Sequence, residues 1–479
     1  MPLLTEIKNA SLLTLLRLTF KNSTLRKQLV KIADKRVYNA LVENNNGKFL
    51  KAVQEDKYYI VSNLMFSVHR AINRGIFSQD IVNYLTDIFV GKLFLPQDNQ
   101  RPRDAFKQKY GEEPPAFITL SPTGECNLKC VGCYAASDNY KKIHLPFSTC
   151  DRIITDMKKE WGDYFVVISG GEPLMYHSEG KGIIDLFEKH NDVFFLMFTN
   201  GTLITEDVAK RLSEAGNVTP TISVEGMEEE TDKRRGKGVF KRILKAMENL
   251  RKYQVPMGLS MTATRENYEK LLTDETIDFF IEQGIIHFWI FQYMPIGRSY
   301  TLELLVTPEQ RKNMFIRERK LLREKKIFIA DFWNSGPMSD GCIAGGRQGG
   351  YLYIDWNGNV YPCVFIPYYN DNIIDVYKSG GKLSDILFSP IFKSVRKWQK
   401  EYGWHRPPQQ TGNLILPCFI RDHFENAYTQ FINARVKPGD ENAREALSDT
   451  SYIEGMKRYD IELGETIDPI WEKHYRQKS

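Results

Sequence analysis

Apolar runs and amphipathic segments alternate through the middle of this chain. FITLSP opens at Phe117, followed by YFVVIS (164–169), VFFLMFT (193–199), VTPTISV (218–224), VPMGLSMTA (255–263) and IIHFWIFQYM (285–294). Between them, apolar residues three and four apart predict helices near 147–161, 181–190, 205–215 and 239–253. In the last of these, Phe240, Ile243, Leu244, Met247 and Leu250 form one stripe that faces a sheet. Strands apolar throughout, each joined to a helix, read as buried parallel strands covered on their outer face. Six such units predict an α/β fold, a partial (β/α)6 barrel of the TIM type over residues 115–330, with its chemistry at the C-terminal strand ends.

The flanks read differently. Residues 1–114 form a helical N-terminal region that ends in QDNQRPRDAFKQKYGEEPPAF (97–117), a polar, proline-bearing stretch with the character of a linker. Beyond about residue 330 the alternation stops. YLYIDWNGNVYP (351–362) predicts a β-hairpin around Asn357-Gly358, with helices to follow near 384–402, 421–434 and 440–460. Residues 331–479 therefore read as a C-terminal domain of one hairpin plus helices.

A length of 479 residues suits two or three domains, and a net charge of +5 is too small to argue for nucleic acid. Seven cysteines, three of them in one loop, make a poor disulfide framework and fit a reducing cytoplasm. The first residues, MPLLTEIKNASLLTLLRLTF, carry charges inside their apolar stretch, unlike a signal peptide, and no run of about 18 apolar residues suggests a membrane span. Residues 1–36 hold eight Lys and Arg against Glu6 and Asp34, interleaved with leucines. A basic helix of this kind docks on a barrel with its charges in water, or lies peripherally on an anionic membrane surface.

The chemistry centres on Cys126-Asn-Leu-Lys-Cys130-Val-Gly-Cys133. Structural zinc takes four tetrahedral ligands, and the nearest candidates, His144 and Cys150, fall at no usual finger spacing. Cys150 lies in a helical pattern beside Ile153 and Ile154 and reads as core. A 4Fe–4S cube takes one thiolate per iron, so three thiolates leave one iron open. This C-x3-C-x2-C segment resembles the cluster loop of the radical S-adenosylmethionine (SAM) superfamily. The resemblance implies that the open iron chelates SAM and that one electron splits its adenosyl C–S bond, giving a 5′-deoxyadenosyl radical that abstracts hydrogen.

Further segments extend the resemblance. Ser169-Gly170-Gly171-Glu172-Pro173, at the end of the second strand, is similar to the superfamily motif that meets the SAM amino group. Thr199-Asn200 and Ser223-Val224-Glu225, with Arg234-Arg235 following, resemble its polar strand ends. By the resemblance, Gly170, Gly171, Glu172, Pro173, Tyr134, Asn200, Ser223, Glu225 and Arg235 form the SAM site. One departure is Gly132, which stands where an aromatic residue often precedes the third cysteine; Tyr134 comes just after. Pro295-Ile296-Gly297-Arg298 is also family-like.

Cys342, fifteen residues, Gly358, four residues and Cys363 resemble the opening of SPASM and twitch domains, which carry auxiliary iron–sulfur clusters. Cys418 is the natural third ligand, and the longer cysteine set of a full SPASM domain is absent. That implies one auxiliary 4Fe–4S cluster in a shortened, twitch-like domain, its fourth ligand being Asp422, His423, a substrate atom or water. The expected protein is a radical SAM enzyme acting on a peptide or a lipid-like molecule, fed by an electron donor such as a flavodoxin or ferredoxin. A non-catalytic iron–sulfur protein for electron transfer or sensing is the alternative, and a zinc-binding scaffold a further rival. No strand-rich segment of the sort that holds a leader peptide is visible in residues 1–114, which favours a hydrophobic substrate over a peptide.

Overall fold

Helix termini explain where each helix stops. Phe147–Trp161 buries Phe147, Cys150, Ile153, Ile154, Met157 and Trp161 along one face, and Gly162 ends it in the left-handed region at φ 65°. Glu206–Ala215 starts at Thr205, whose hydroxyl accepts from Val208 N at 3.3 Å, and stops at Gly216. Val239–Lys252 buries Val239, Phe240, Ile243, Ala246, Met247 and Leu250, so Ala246 joins the expected stripe while Leu244 is half-buried.

These helices cover a sheet seen in a computed structural model that describes residues 22–88 and 100–477. Its strands are β1 (Phe117–Leu120), β2 (Phe165–Ile168), β3 (Phe194–Thr199), β4 (Val218–Val224), β5 (Met257–Ala263), β6 (Ile285–Gln292), β7 (Phe328–Asp331), β8 (Tyr351–Ile354), β9 (Asn359–Tyr361) and β10 (Asp371–Asn372). The spatial order is β10-β9-β8-β1-β2-β3-β4-β5-β6-β7. From β8 to β7 every pairing is parallel, and only the β8–β9 and β9–β10 pairings of this sheet are antiparallel. The result is the expected partial-barrel architecture, curled so that the Phe332 ring beyond β7 reaches 6.5 Å from the Tyr351 ring of β8.

Three features differ from the sequence reading. The core holds a seventh parallel strand, β7, delivered by the helix Pro308–Glu324. The stretch 97–117 contains the helix Gln100–Tyr110, held by packing of Phe106 and an ion pair from Arg103 to Asp163, rather than an open linker. The C-terminal hairpin extends the core sheet: Phe117 pairs with Tyr351 and Leu120 with Ile354.

The N-terminal region is helical, with Ser23–Leu41 and Lys51–Asn73 packed together. The possible membrane contact through residues 1–36 falls largely on residues outside those described. Among the described residues no helix is long and apolar enough to cross a membrane. A second apolar cluster joins Leu463, Ile467 and Trp471 of Thr450–Trp471 to Phe315 and to Leu50 and Val53.

Candidate active site

Residues two apart on successive strands point into one cavity of about 420 Å³. Phe117 and Thr119, Leu196 and Phe198, Ser260 and Thr262, and Trp289 and Phe291 are such pairs. The intervening residues, such as Phe195 and Met197, are fully buried on the opposite face. Both cysteine sets, Cys126, Cys130, Cys133 and Cys342, Cys363, Cys418, line this same cavity.

The first set is held by its own backbone. Cys126 N donates to Asp138 O at 3.1 Å, while Ala136 N and Arg298 N donate to Cys133 O at 3.1 and 2.9 Å. The Gly-Gly turn packs against this loop. Gly171 N donates to Thr123 O, and a Cβ on Gly171 would lie 2.1 Å from Glu125 O. Gly170, at φ +112°, would collide with Ser121. The two glycines thus allow the strand end and the cysteine loop to touch backbone to backbone, and both line the cavity.

Glu172 and Pro173 are placed otherwise. Both are buried, and neither lines the cavity. The Glu172 carboxylate accepts from Thr199 Oγ1 at 2.7 Å, Asn200 N at 2.8 Å and Leu174 N at 3.2 Å. Burial raises its pKa, against those hydrogen bonds. It therefore fixes the end of β3, and through it Asn200, which does line the cavity. Asn200 Nδ2 donates to Asn127 Oδ1 at 2.8 Å and stands 3.8 Å from Cys126 Sγ.

Glu225 has a similar place behind the wall. It is fully buried; Arg234 Nη1 and Arg235 Nη2 each reach its Oε1 at 2.5 Å, and Thr262 N donates to its Oε2 at 3.0 Å. This directs both arginines to the cavity, where Arg235 Nη1 lies 4.0 Å from Cys130 Sγ. Ser223 lines the cavity, and so does Tyr134, whose hydroxyl pairs with Ser169 Oγ at 2.5 Å. The sequence reading missed Ser260 and Thr262, detectable as polar residues two apart inside an apolar run, and named Arg234 in the motif without placing it in the site.

The second set is assembled from distant segments. Gly345 N donates to Pro362 O and Tyr351 N to Ile343 O, which lays the segment after Cys342 beside the hairpin that ends at Cys363. Cys363 Sγ meets the Tyr351 hydroxyl at 3.0 Å. Cys418 is held in a reciprocal turn, its N–H donating to Asp422 Oδ2 at 3.1 Å and its carbonyl accepting from Asp422 N at 3.0 Å. Two of the expected fourth-ligand candidates are committed elsewhere. Asp422, held down to about 2, lies within hydrogen-bond reach of Arg311 and Arg421, whose charges outweigh its burial. His423 Nε2 pairs with Leu416 O, and its ring packs on Trp398 and Tyr402. Neither lines the cavity.

Among the described residues no group of three or more His, Cys, Asp or Glu converges on a single metal ion. A cube bound one thiolate per iron spreads its ligands over corners rather than gathering them at a point, so a search for single-ion sites does not bear on either trio. Burial pushes the Cys126 and Cys418 thiols up to about 12 and raises those of Cys130 and Cys363. A cationic occupant is what would restore the thiolates. For Cys130, Arg235 and Arg234 already oppose the burial.

Residues 120–277 match the family model for the radical SAM superfamily. Mycofactocin maturase MftC of Mycolicibacterium smegmatis is 28% identical over 334 residues, spanning 68% of this chain and 80% of that protein. AdoMet-dependent heme synthase of Methanosarcina barkeri is 26% identical over 287 residues, 54% of this chain and 79% of that protein. The crystal structure of Streptococcus suis SuiB bound to precursor peptide SuiA has a TM-score of 0.54 at 17% identity, covering 78% of this chain and 90% of that chain. This last likeness is one of fold.

Proposed function

From the premise that this chain carries a radical SAM domain and is an enzyme using a 4Fe–4S cluster and SAM, we propose that it is a maturase abstracting hydrogen from a peptide. The observation that carries the reading is the opening of two cysteine trios and several polar strand ends onto one apolar-walled cavity. When bound, the cluster supplies the electron that splits SAM. Cys126, Cys130 and Cys133 would hold it. Asn200, Ser223, Ser260 and Thr262 offer polar groups to SAM, and Arg235 offers a cation beside Cys130. Glu172 and Glu225 position these groups from behind the wall. Phe117, Phe198, Trp289 and Phe291 exclude water and favour an apolar side chain on the substrate. Cys342, Cys363 and Cys418 hold one auxiliary cluster.

The peptide assignment draws on the names of relatives: MftC is a maturase, SkfB of Bacillus subtilis a sporulation killing factor maturation protein, and SuiB was solved with a precursor peptide. A second reading, a tetrapyrrole substrate, draws on the heme synthase and Fe-coproporphyrin III synthase of Methanosarcina barkeri and on the aromatic walls. The reductant is an electron donor such as a flavodoxin or ferredoxin, and the reducing cytoplasm is where such thiolates persist.

The test is isotopic. Reconstituted enzyme, dithionite and SAM are incubated with a tryptic digest of fully deuterated protein, with deuterated Fe-coproporphyrin III, or with a deuterated lipid extract. Deuterium in 5′-deoxyadenosine from the digest alone supports the peptide reading. Deuterium from the porphyrin or the lipid arm instead overturns it in favour of that class.

A further inference from the structure

Strand β8 opens on Tyr351, which pairs with Phe117 of β1 and is 2% exposed. Its ring stacks on Phe117 at 5.0 Å with 1° between the planes, and meets Phe332 edge-on at 6.5 Å. Sheet register and aromatic packing thus fix where the phenol points. Its hydroxyl ends 3.0 Å from Cys363 Sγ, and both residues line the cavity.

The turn after β9 decides which way that hydrogen bond runs. Ile366 N donates to Cys363 O at 3.1 Å and closes the turn. Within it, Val364 N donates to the Tyr351 oxygen at 3.2 Å, and Phe365 N donates to Cys363 Sγ at 3.4 Å. The phenol oxygen already has a donor, so its single proton is left for the sulfur. A thiolate carries no proton and can only accept. As a ligand, Cys363 therefore receives two hydrogen bonds, one from a side chain and one from the main chain. The contacts of the first trio are longer, with Asn200 Nδ2 at 3.8 Å from Cys126 Sγ and Arg235 Nη1 at 4.0 Å from Cys130 Sγ. Around Cys363 the Phe365 ring packs on Trp333 at 5.1 Å and on Phe332 at 5.4 Å. Apolar surroundings of this kind strengthen a hydrogen bond that is made.

We propose that the Tyr351 hydroxyl donates to the Cys363 thiolate and makes the auxiliary cluster easier to reduce, so that Tyr351 sets that cluster's potential. The proposal rests on the reading above that Cys342, Cys363 and Cys418 hold a cluster. Reduction adds one electron, supplied by dithionite or a low-potential electron donor, and part of the added charge falls on the ligand sulfurs. A donor aimed at one of those sulfurs stabilises the reduced form more than the oxidised form. The phenol proton stays on its oxygen throughout, and no bond of the protein is made or broken. Tyr351 is thus a positioning residue for charge, acting through Cys363.

The test is a redox titration of the auxiliary cluster alone. Full-length Cys126→Ala/Cys130→Ala/Cys133→Ala protein is reconstituted, and its reduction is followed by electron paramagnetic resonance with dithionite and mediators. In this background Tyr351→Phe keeps the stacked ring and removes only the donor. It should lower the reduced-to-oxidised ratio at any set potential about tenfold, a fall of about 59 mV in midpoint for one electron. A ring-fluorinated tyrosine in place of Tyr351, a more acidic donor of nearly the same size, should move the midpoint upward. Tyr361→Phe removes a buried hydroxyl that goes to Asp355 at 2.8 Å instead, and should leave the midpoint where it was. An unchanged midpoint in Tyr351→Phe, or an equal fall in Tyr361→Phe, would overturn the proposal while the cluster stands. Should Tyr351→Phe fail to take up about four irons, the fluorinated protein decides, and the absence of an upward shift there overturns the proposal. No iron in the background protein would remove the auxiliary cluster and the proposal with it.

Discussion

Glu172 shows what a residue-by-residue reading captures and what it leaves out. Its motif was legible, because Gly-Gly-Glu-Pro follows an apolar strand. Its surroundings were not, because the donors that consume its carboxylate, Thr199 and Asn200, come from another strand. Replacing it with Gln sets an amide against those donors and should cost about 2–3 kcal/mol in urea unfolding of the metal-free protein; an unchanged midpoint would mean the carboxylate is not needed there. His287 gives a pH prediction. It is enclosed, paired with Thr221 Oγ1 at 3.0 Å, and held down to about 4 by burial from an ordinary 6.5. Between those values the unfolded chain binds a proton that the folded chain refuses, so stability falls as pH drops from 6.5 towards 4, by up to about 3 kcal/mol. His287→Asn should flatten that slope in denaturant melts across the window.

At the scale of elements, long apolar runs were readable and short or polar ones were not. β7 is four residues, Phe-Ile-Ala-Asp, too short to stand out by periodicity. The helix Gln100–Tyr110 hides behind Pro102 and a run of charges, yet proline is tolerated in a first turn, and one buried residue, Phe106, with the Arg103 ion pair anchors it. The hairpin was legible from Asn357-Gly358, but its parallel pairing with β1 is a long-range choice that no local pattern encodes. Packing between β5 and β6 is equally non-local. A Cβ on Gly258 would lie 1.9 Å from His287 Nε2. Gly258→Ala should therefore destabilise by about 1–3 kcal/mol, read as a lowered urea midpoint, whereas Gly238→Ala, with nothing within 4 Å, loses only what its positive φ costs.

For the whole molecule, the sheet does what neither half of the chain could do alone. Because β8 completes the curl beside β1, cysteines more than two hundred residues apart face one space. The cysteine spacings announced two sites, but only the fold shows that they share a cavity. Iron analysis after anaerobic reconstitution should give about eight irons per chain, and about four in a Cys342→Ala/Cys363→Ala variant. About four in both would mean that the chain holds no auxiliary cluster. The most direct test of radical SAM chemistry is 5′-deoxyadenosine, measured by mass spectrometry after reduction of the reconstituted protein with SAM present. Wild type should give deoxyadenosine and Cys126→Ala none. A fully loaded, reduced wild type that leaves SAM intact in the presence of the peptide digest, the porphyrin and the lipid extract would contradict it.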